Sequence, residues 1–324
     1  MTTGTRQPRS DALIFFGATG DLAYKKNFPA LHRMARRGRL QNLLYFRFAN
    51  SFLEPLWNRN YVSAVHVIMA EEFGVAGRGR FYDETGAIRD VVQNHLLQVV
   101  AFVAMEAPIA GDDESTRDEK GKVFKSIRPL RPEDVVCGQF RGYRDEPGVA
   151  PDSAVETFVA LRLQIDSWRW KGVPFTIRAG KCLPETLTEV RVQLRRPPKT
   201  VFPEDRRGAP NQLRFRLGPD MHIALQARVK AHGDQMAGEE SELAFLRYAA
   251  EDDEMSAYER LLGDPLAGDT TLFAREDGVE AAWRIVDPVI GEHTPAVEYE
   301  PGSWGPQEAD AVAPRPDRDR QQDD

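Results

Sequence analysis

One run of apolar residues constrains this chain more than any other feature. In the stretch Glu71 to Glu106, EEFGVAGRGRFYDETGAIRDVVQNHLLQVVAFVAME, residues Ile88, Val91, Val92, Leu96, Val99, Val100 and Val103 recur at helical spacing. Gly77 and Gly79 make a Gly-rich approach, and Asp83 and Gly86 supply start signals. The stretch therefore predicts one buried helix of about five turns. Asp90 and Asn94 stand four apart and share a face, and His95 follows at the border of the apolar stripe, half sheltered among polar neighbours. Spacing alone favours a satisfied border histidine over a functional one.

The chain has 324 residues, enough for two domains, with the 41% hydrophobic and 29% charged residues of an ordinary globular protein. Its apolar runs are far short of a membrane span and no signal-peptide pattern follows Met1, so a cytoplasmic protein with no membrane partner is expected. A net charge of -7 gives no field for nucleic acid as a bulk partner, although cations can still cluster to hold a phosphate. Cys137 and Cys182 suit a reduced compartment, and two Cys with scattered His make no metal-ligand cluster.

Near the N-terminus, an apolar strand from Ala12 to Phe16 runs into Gly17-Ala18-Thr19-Gly20-Asp21-Leu22 and an amphipathic helix reaching about Arg37. Such a turn presents backbone N–H groups and a positive helix end to a pyrophosphate, but a tight turn without ligand is as good a reading of G-x-x-G alone. Further on, Gln41 to Ser51 reads as a helix, Tyr61 to Ala70 as a strand, Glu114 to Ser126 as a solvated charged helix, and Asp145 to Pro151 as a Pro/Gly loop. Strands are expected at Phe158 to Ile165, Val173 to Arg178, Glu189 to Leu194, Gln212 to Leu217 and Ile223 to Val229. Helices near Ser256 to Leu262 and Glu276 to Ile285 are available to cover them. The pattern predicts an α+β chain: a short Rossmann-like βα unit, then a large, mostly antiparallel sheet covered on one side by helices.

Several strings carry a more specific message. R-D-V-V-Q-N-H at Arg89 to His95, G-A-T-G-D-L-A-x-K-K at Gly17 to Lys26, QNLLYFRFANSFLEPLWNRNYV from Gln41 and YEPGSWGP at Tyr299 to Pro306 together resemble the glucose-6-phosphate dehydrogenase family. The resemblance implies oxidation of glucose 6-phosphate to 6-phosphogluconolactone with NADP, in the pentose phosphate pathway. It implies His95 as the general base, with Glu71 and Asp90 as sugar-binding acids, and Asn94, a neighbour of the base, is added to them as a candidate substrate-binding residue. Lys181, in I-R-A-G-K-C-L, takes the place of a phosphate ligand, while Gly17, Thr19, Gly20, Asp21 and Leu22 take that of the cofactor turn, with Lys26 nearby. A homo-oligomer formed through the large sheet is implied as well.

Against that pattern, the chain passes from Gly38-Arg39-Leu40 directly to a segment that in the family lies well beyond the dinucleotide-binding domain. The family motif R-I-D-H-Y-L-G-K, whose Asp orients the catalytic His and whose His and Lys grip the sugar phosphate, occurs nowhere. Thr186 stands where several members have Arg. The expected organisation is a remnant of the NADP-binding domain at 1–40, an α+β domain at 41–306 and a disordered tail at 307–324. Turnover is expected to be very slow or absent, and a non-catalytic remnant or subunit is the other reading.

Overall fold

The computed structural model describes residues 37–199, 201–202, 209–234, 236–248, 275–291 and 294–315. Its helices are α1 (Arg37–Ala49), α2 (Gly79–Ala87), a π-helical segment (Ile88–Leu96), α3 (Leu97–Ala104), α4 (Asp113–Ser126) and α5 (Glu276–Val286). The strands are β1 (Val62–Ala70), β2 (Val135–Phe140), β3 (Phe158–Gln164), β4 (Pro174–Gly180), β5 (Leu187–Leu194), β6 (Gln212–Gly218), β7 (Met221–Lys230), β8 (Gly238–Tyr248) and β9 (Ala296–Tyr299). All nine join one sheet in the order β8-β7-β6-β5-β1-β4-β3-β2-β9. Antiparallel pairing dominates, but β1 runs parallel to β4 in the middle and β2 runs parallel to β9 at one edge.

Alternation along the strands produces two cores. Val65 and Val67 of β1, Phe175 and Ile177 of β4, and Val190 and Val192 of β5 face the helices and join the larger cluster with Leu43, Trp57, Val100, Phe124 and Ile285. Intervening positions such as Ile68, Ala70, Phe158 and Ala160 face the other way and build a smaller cluster with Val75, Tyr82, Tyr143, Tyr299, Trp304, Ala309 and Ala313. The second face is thus partly covered too, by a strap of chain following β9. Arg178 of β4 holds that strap, donating to the carbonyls of Trp304 and Ala313 and pairing with Asp310 at 2.7 Å. The disordered tail expected from Gln307 does not apply to residues 307–315: Gln307–Ala311 forms a 3-10 turn, and Ala309 and Ala313 are buried.

The predicted five-turn helix is also corrected. Gly86, at φ 69°, ψ 174°, interrupts it, and a π-helical segment starts beyond the break. Glu156 is the local cause: its carbonyl accepts from Ala87 N–H at 3.0 Å and its Oε1 accepts from Ile88 N–H at 2.9 Å. Both N–H groups would otherwise be orphans at a helix start, where a carboxylate is also favoured by the helix dipole. A Cβ on Gly86 would lie 2.5 Å from Glu156 Oε1, so the position admits no larger residue as it stands. The break lets the chain pass from the smaller core, which holds Tyr82, to the larger one, which holds Ile88 and Val92.

At the other end of this run, α3 is pinned through its last carbonyls. Arg47 donates to Phe102 O at 3.1 Å, Trp57 Nε1 to Val103 O at 2.8 Å and Trp170 Nε1 to Ala104 O at 2.8 Å. These are groups that the helix cannot satisfy internally. The strand from Ala12 to Phe16, the turn at 17–22, Lys26 and the helix near Ser256 lie outside the described residues.

Candidate active site

Two parallel neighbours end at the same level, so whatever follows them meets at one edge of the sheet. Ala70 of β1 is in register with Gly180 of β4. Immediately beyond, Glu71 N–H donates to Gly180 O at 3.1 Å, Leu183 N–H to Glu71 O at 3.0 Å, and Lys181 N–H to Thr157 O at 3.1 Å. Backbone pairing therefore fixes both side chains before they interact. Lys181 Nζ then lies 2.5 Å from Glu71 Oε2, with Lys181 2% and Glu71 6% exposed. The ammonium also sits 5.0 Å from the Tyr82 ring centroid and 5.2 Å from that of Phe73. Lys181 is thus a buried, paired cation, not the exposed turn residue that its place after a strand and a glycine would otherwise suggest.

The π-helical segment brings the remaining candidates. It packs on β4 and carries Asp90, Asn94 and His95. In an α-helix five residues overshoot one turn, whereas i→i+5 winding brings Asp90 and His95 back toward a common face. Asp90 and then Glu71 are the carboxylates that, after burial itself, most strongly hold the Tyr82 phenol protonated, well above its usual range. Glu71, Asp90, Tyr82 and Lys181 therefore belong to one neighbourhood. His95 is 5% exposed, more enclosed than the half-sheltered position expected. Asn94 beside it is exposed, so the two adjacent side chains occupy different environments.

Several residues that frame the site were not legible as site residues. Tyr299 Oη donates to Lys181 O at 2.6 Å and lies 3.3 Å from Thr157 Oγ1, while Gly302 N–H donates to Cys182 O at 2.7 Å. The YEPGSWGP string thereby supports the Lys181 turn from below. Only its family likeness hinted at this. Glu156, half-buried and with its carboxyl pushed up by desolvation, gave no sequence hint at all. Thr186 is engaged elsewhere, its hydroxyl 3.2 Å from Glu72 Oε2. Burial pushes the Cys182 thiol up, so it is no thiolate nucleophile at neutral pH. The proposed cofactor turn, Gly17, Thr19, Gly20, Asp21 and Leu22, lies outside the described residues. Among the described residues no three His, Cys, Asp or Glu side chains group to hold a metal, and no helix is long and apolar enough to cross a membrane.

Residues 44–320 match the family model described as glucose-6-phosphate dehydrogenase, C-terminal domain. The chain belongs to the glucose-6-phosphate dehydrogenase family. Residues 14–71 match the NAD binding domain of the same family, which implies a dinucleotide cofactor for its members. The described part of that second match, 37–71, is α1, β1 and their connection, and so belongs to the large sheet and its cover. Glucose-6-phosphate 1-dehydrogenase 1 of Mycobacterium bovis is 48% identical over 271 residues, 83% of this chain and 58% of the relative. A crystal structure of the glucose-6-phosphate 1-dehydrogenase from Mycobacterium avium is similar at TM-score 0.78 and 46% identity, over 84% of this chain and 59% of the other. A glucose-6-phosphate dehydrogenase in complex with its substrate glucose-6-phosphate is similar at TM-score 0.77 and 35% identity, over 87% and 60%. The chain thus spans about three-fifths of the length of these relatives.

Proposed function

We propose that this chain carries the sugar-phosphate half of a glucose-6-phosphate dehydrogenase site and binds glucose 6-phosphate there. The observation that carries the reading is the Glu71–Lys181 pair at the matched ends of β1 and β4, with Asp90 and His95 delivered by the adjoining π-helical segment. Lys181 has three N–H donors, so it can keep Glu71 and still hold a phosphate oxygen. Glu71 and Asp90 accept from sugar hydroxyls. His95 takes the proton of the anomeric hydroxyl, a task suited to an imidazole that titrates near neutrality in its unperturbed state. NADP, when bound, supplies the hydride acceptor; its contacts would come from the turn at Gly17 to Leu22.

Catalysis in this chain is weak on the same reading. The sequence lacks R-I-D-H-Y-L-G-K and with it the family's orienting Asp and two phosphate ligands. In the serine-protease template, loss of an orienting Asp costs about 10⁴ in rate. Following NADPH absorbance with glucose 6-phosphate and the purified chain tests this. Turnover at least about a thousandfold below that of a full-length family enzyme assayed in parallel is expected, and comparable turnover would contradict it.

A second reading is a non-catalytic subunit, favoured by a continuous nine-stranded sheet among the described residues of a chain that covers only 58% of its relatives. Association would use the large sheet, through copies of this chain or a full-length member. Co-elution in size-exclusion chromatography supports that reading, and separate elution removes it.

A further inference from the structure

Tyr82 stands out among the buried polar groups. Its side chain is 3% exposed, and among the described residues its hydroxyl has no hydrogen-bond partner. Such orphans are uncommon because an unmet buried donor costs free energy that a phenylalanine at the same place would not. Nor can the ring easily turn away. It packs edge-on against Tyr143 at 6.4 Å and under the Lys181 ammonium at 5.0 Å. The next residue, Asp83, is anchored by Tyr143 Oη, Ala150 N–H and the Ser153 hydroxyl.

The chemistry around the hydroxyl says what is missing. The phenol stays protonated and so offers a donor. Asp90 and Glu71 are close enough to bias it electrostatically, yet neither accepts from it. A fixed donor set near two acceptors is completed by a group that is both acceptor and donor, which is what an alcohol is. We infer that Tyr82 is a ligand-contacting residue, its Oη donating to a hydroxyl oxygen of the bound sugar phosphate while that hydroxyl's own proton goes to Asp90 or Glu71. This rests on the sugar-phosphate reading above and adds a neutral reader of a single sugar hydroxyl to the charged residues already named.

Isothermal titration of glucose 6-phosphate into the unaltered chain and into Tyr82→Phe, with thermal melts of both proteins free of ligand, tests it. The variant should bind about five- to tenfold more weakly, as loss of one hydrogen bond implies, and should melt at the same temperature or higher. The monodeoxy glucose 6-phosphate that lacks the contacted hydroxyl should bind both proteins alike. Unchanged affinity in Tyr82→Phe overturns the inference while leaving the sugar-phosphate reading intact. So does a loss that is equal against every deoxy analogue, because that assigns the effect to packing. Absence of glucose 6-phosphate binding by the unaltered chain overturns the sugar-phosphate reading, and this inference with it.

Discussion

Lys181 Nζ and Glu71 Oε2 meet 2.5 Å apart because β1 and β4 run parallel and stop in register. Antiparallel pairing would have sent the two residues to opposite edges of the sheet. Topology therefore places the pair, and burial makes each partner depend on the other. Removing one side of a buried ion pair strands the remaining charge, whereas removing both is often nearly neutral.

Lys181→Met should accordingly lower stability by about 3–5 kcal/mol, and Glu71→Gln with Lys181→Met should recover much of that loss. Urea unfolding of the three proteins measures it. A double variant no better than Lys181→Met would mean that Lys181 is not the dominant partner of Glu71.

Gly86→Ala tests the break that separates α2 from the π-helical segment. The substitution combines a left-handed φ of 69° with a Cβ 2.5 Å from Glu156 Oε1. A cost of about 2 kcal/mol or more is expected from backbone strain and displacement of the Glu156 cap. Thermal melting reads the stability. Glucose 6-phosphate affinity should fall as well, because Asp90 and His95 hang from this joint.

How far the site could be read beforehand depended on the kind of contact. The sheet-forming runs of β1 and β3 to β7 were legible as short apolar or alternating runs bounded by turn residues, even where, as in β4, both faces are buried. β8, with GEESELAF exposed over much of its length, carries no apolar alternation, and the short β9 has little room for any. Ile88, Val92, Leu96 and Val99 fit α and π winding almost equally, so the π-helical segment was hidden until Glu156, distant in sequence, supplied its cap. Lys181 looked like a surface residue because its burial comes from Glu71, Phe73 and Tyr82, more than ninety positions earlier. Gln307 to Arg315 looked disordered because the composition of the strap does not reveal Arg178 waiting on β4.

Replacing Arg178 should release that strap. Arg178→Leu removes donors to Trp304 O and Ala313 O and the partner of Asp310. Hydrogen exchange at residues 304–313 should quicken by at least tenfold, a local loss of about 1.4 kcal/mol or more, while β5 and β6 keep their protection. Unchanged exchange would show that burial of Ala309 and Ala313 holds the strap unaided.

His66 gives a pH signature. Its Nδ1 lies 2.8 Å from Thr176 Oγ1, and burial, then Arg191, bring its pKa from 6.5 down to about 4. With the folded value below the unfolded one, the unfolded chain binds the extra proton between these limits. The contribution to stability is present above about pH 6.5 and is lost as pH falls toward 4, by about 3 kcal/mol. Urea unfolding at pH 7 and pH 4.5 should show a smaller acid loss in His66→Gln than in the unaltered chain. Equal losses would place the effect elsewhere.

The most direct measurement is a calorimetric titration of the unaltered chain with glucose 6-phosphate and, in parallel, with glucose. Saturable binding of glucose 6-phosphate is expected, with glucose at least about tenfold weaker, since the Lys181 ammonium adds a charge-assisted hydrogen bond only to the phosphate. No saturation with glucose 6-phosphate, or equal affinity for both sugars, would contradict the placement of a sugar-phosphate site at the ends of β1 and β4.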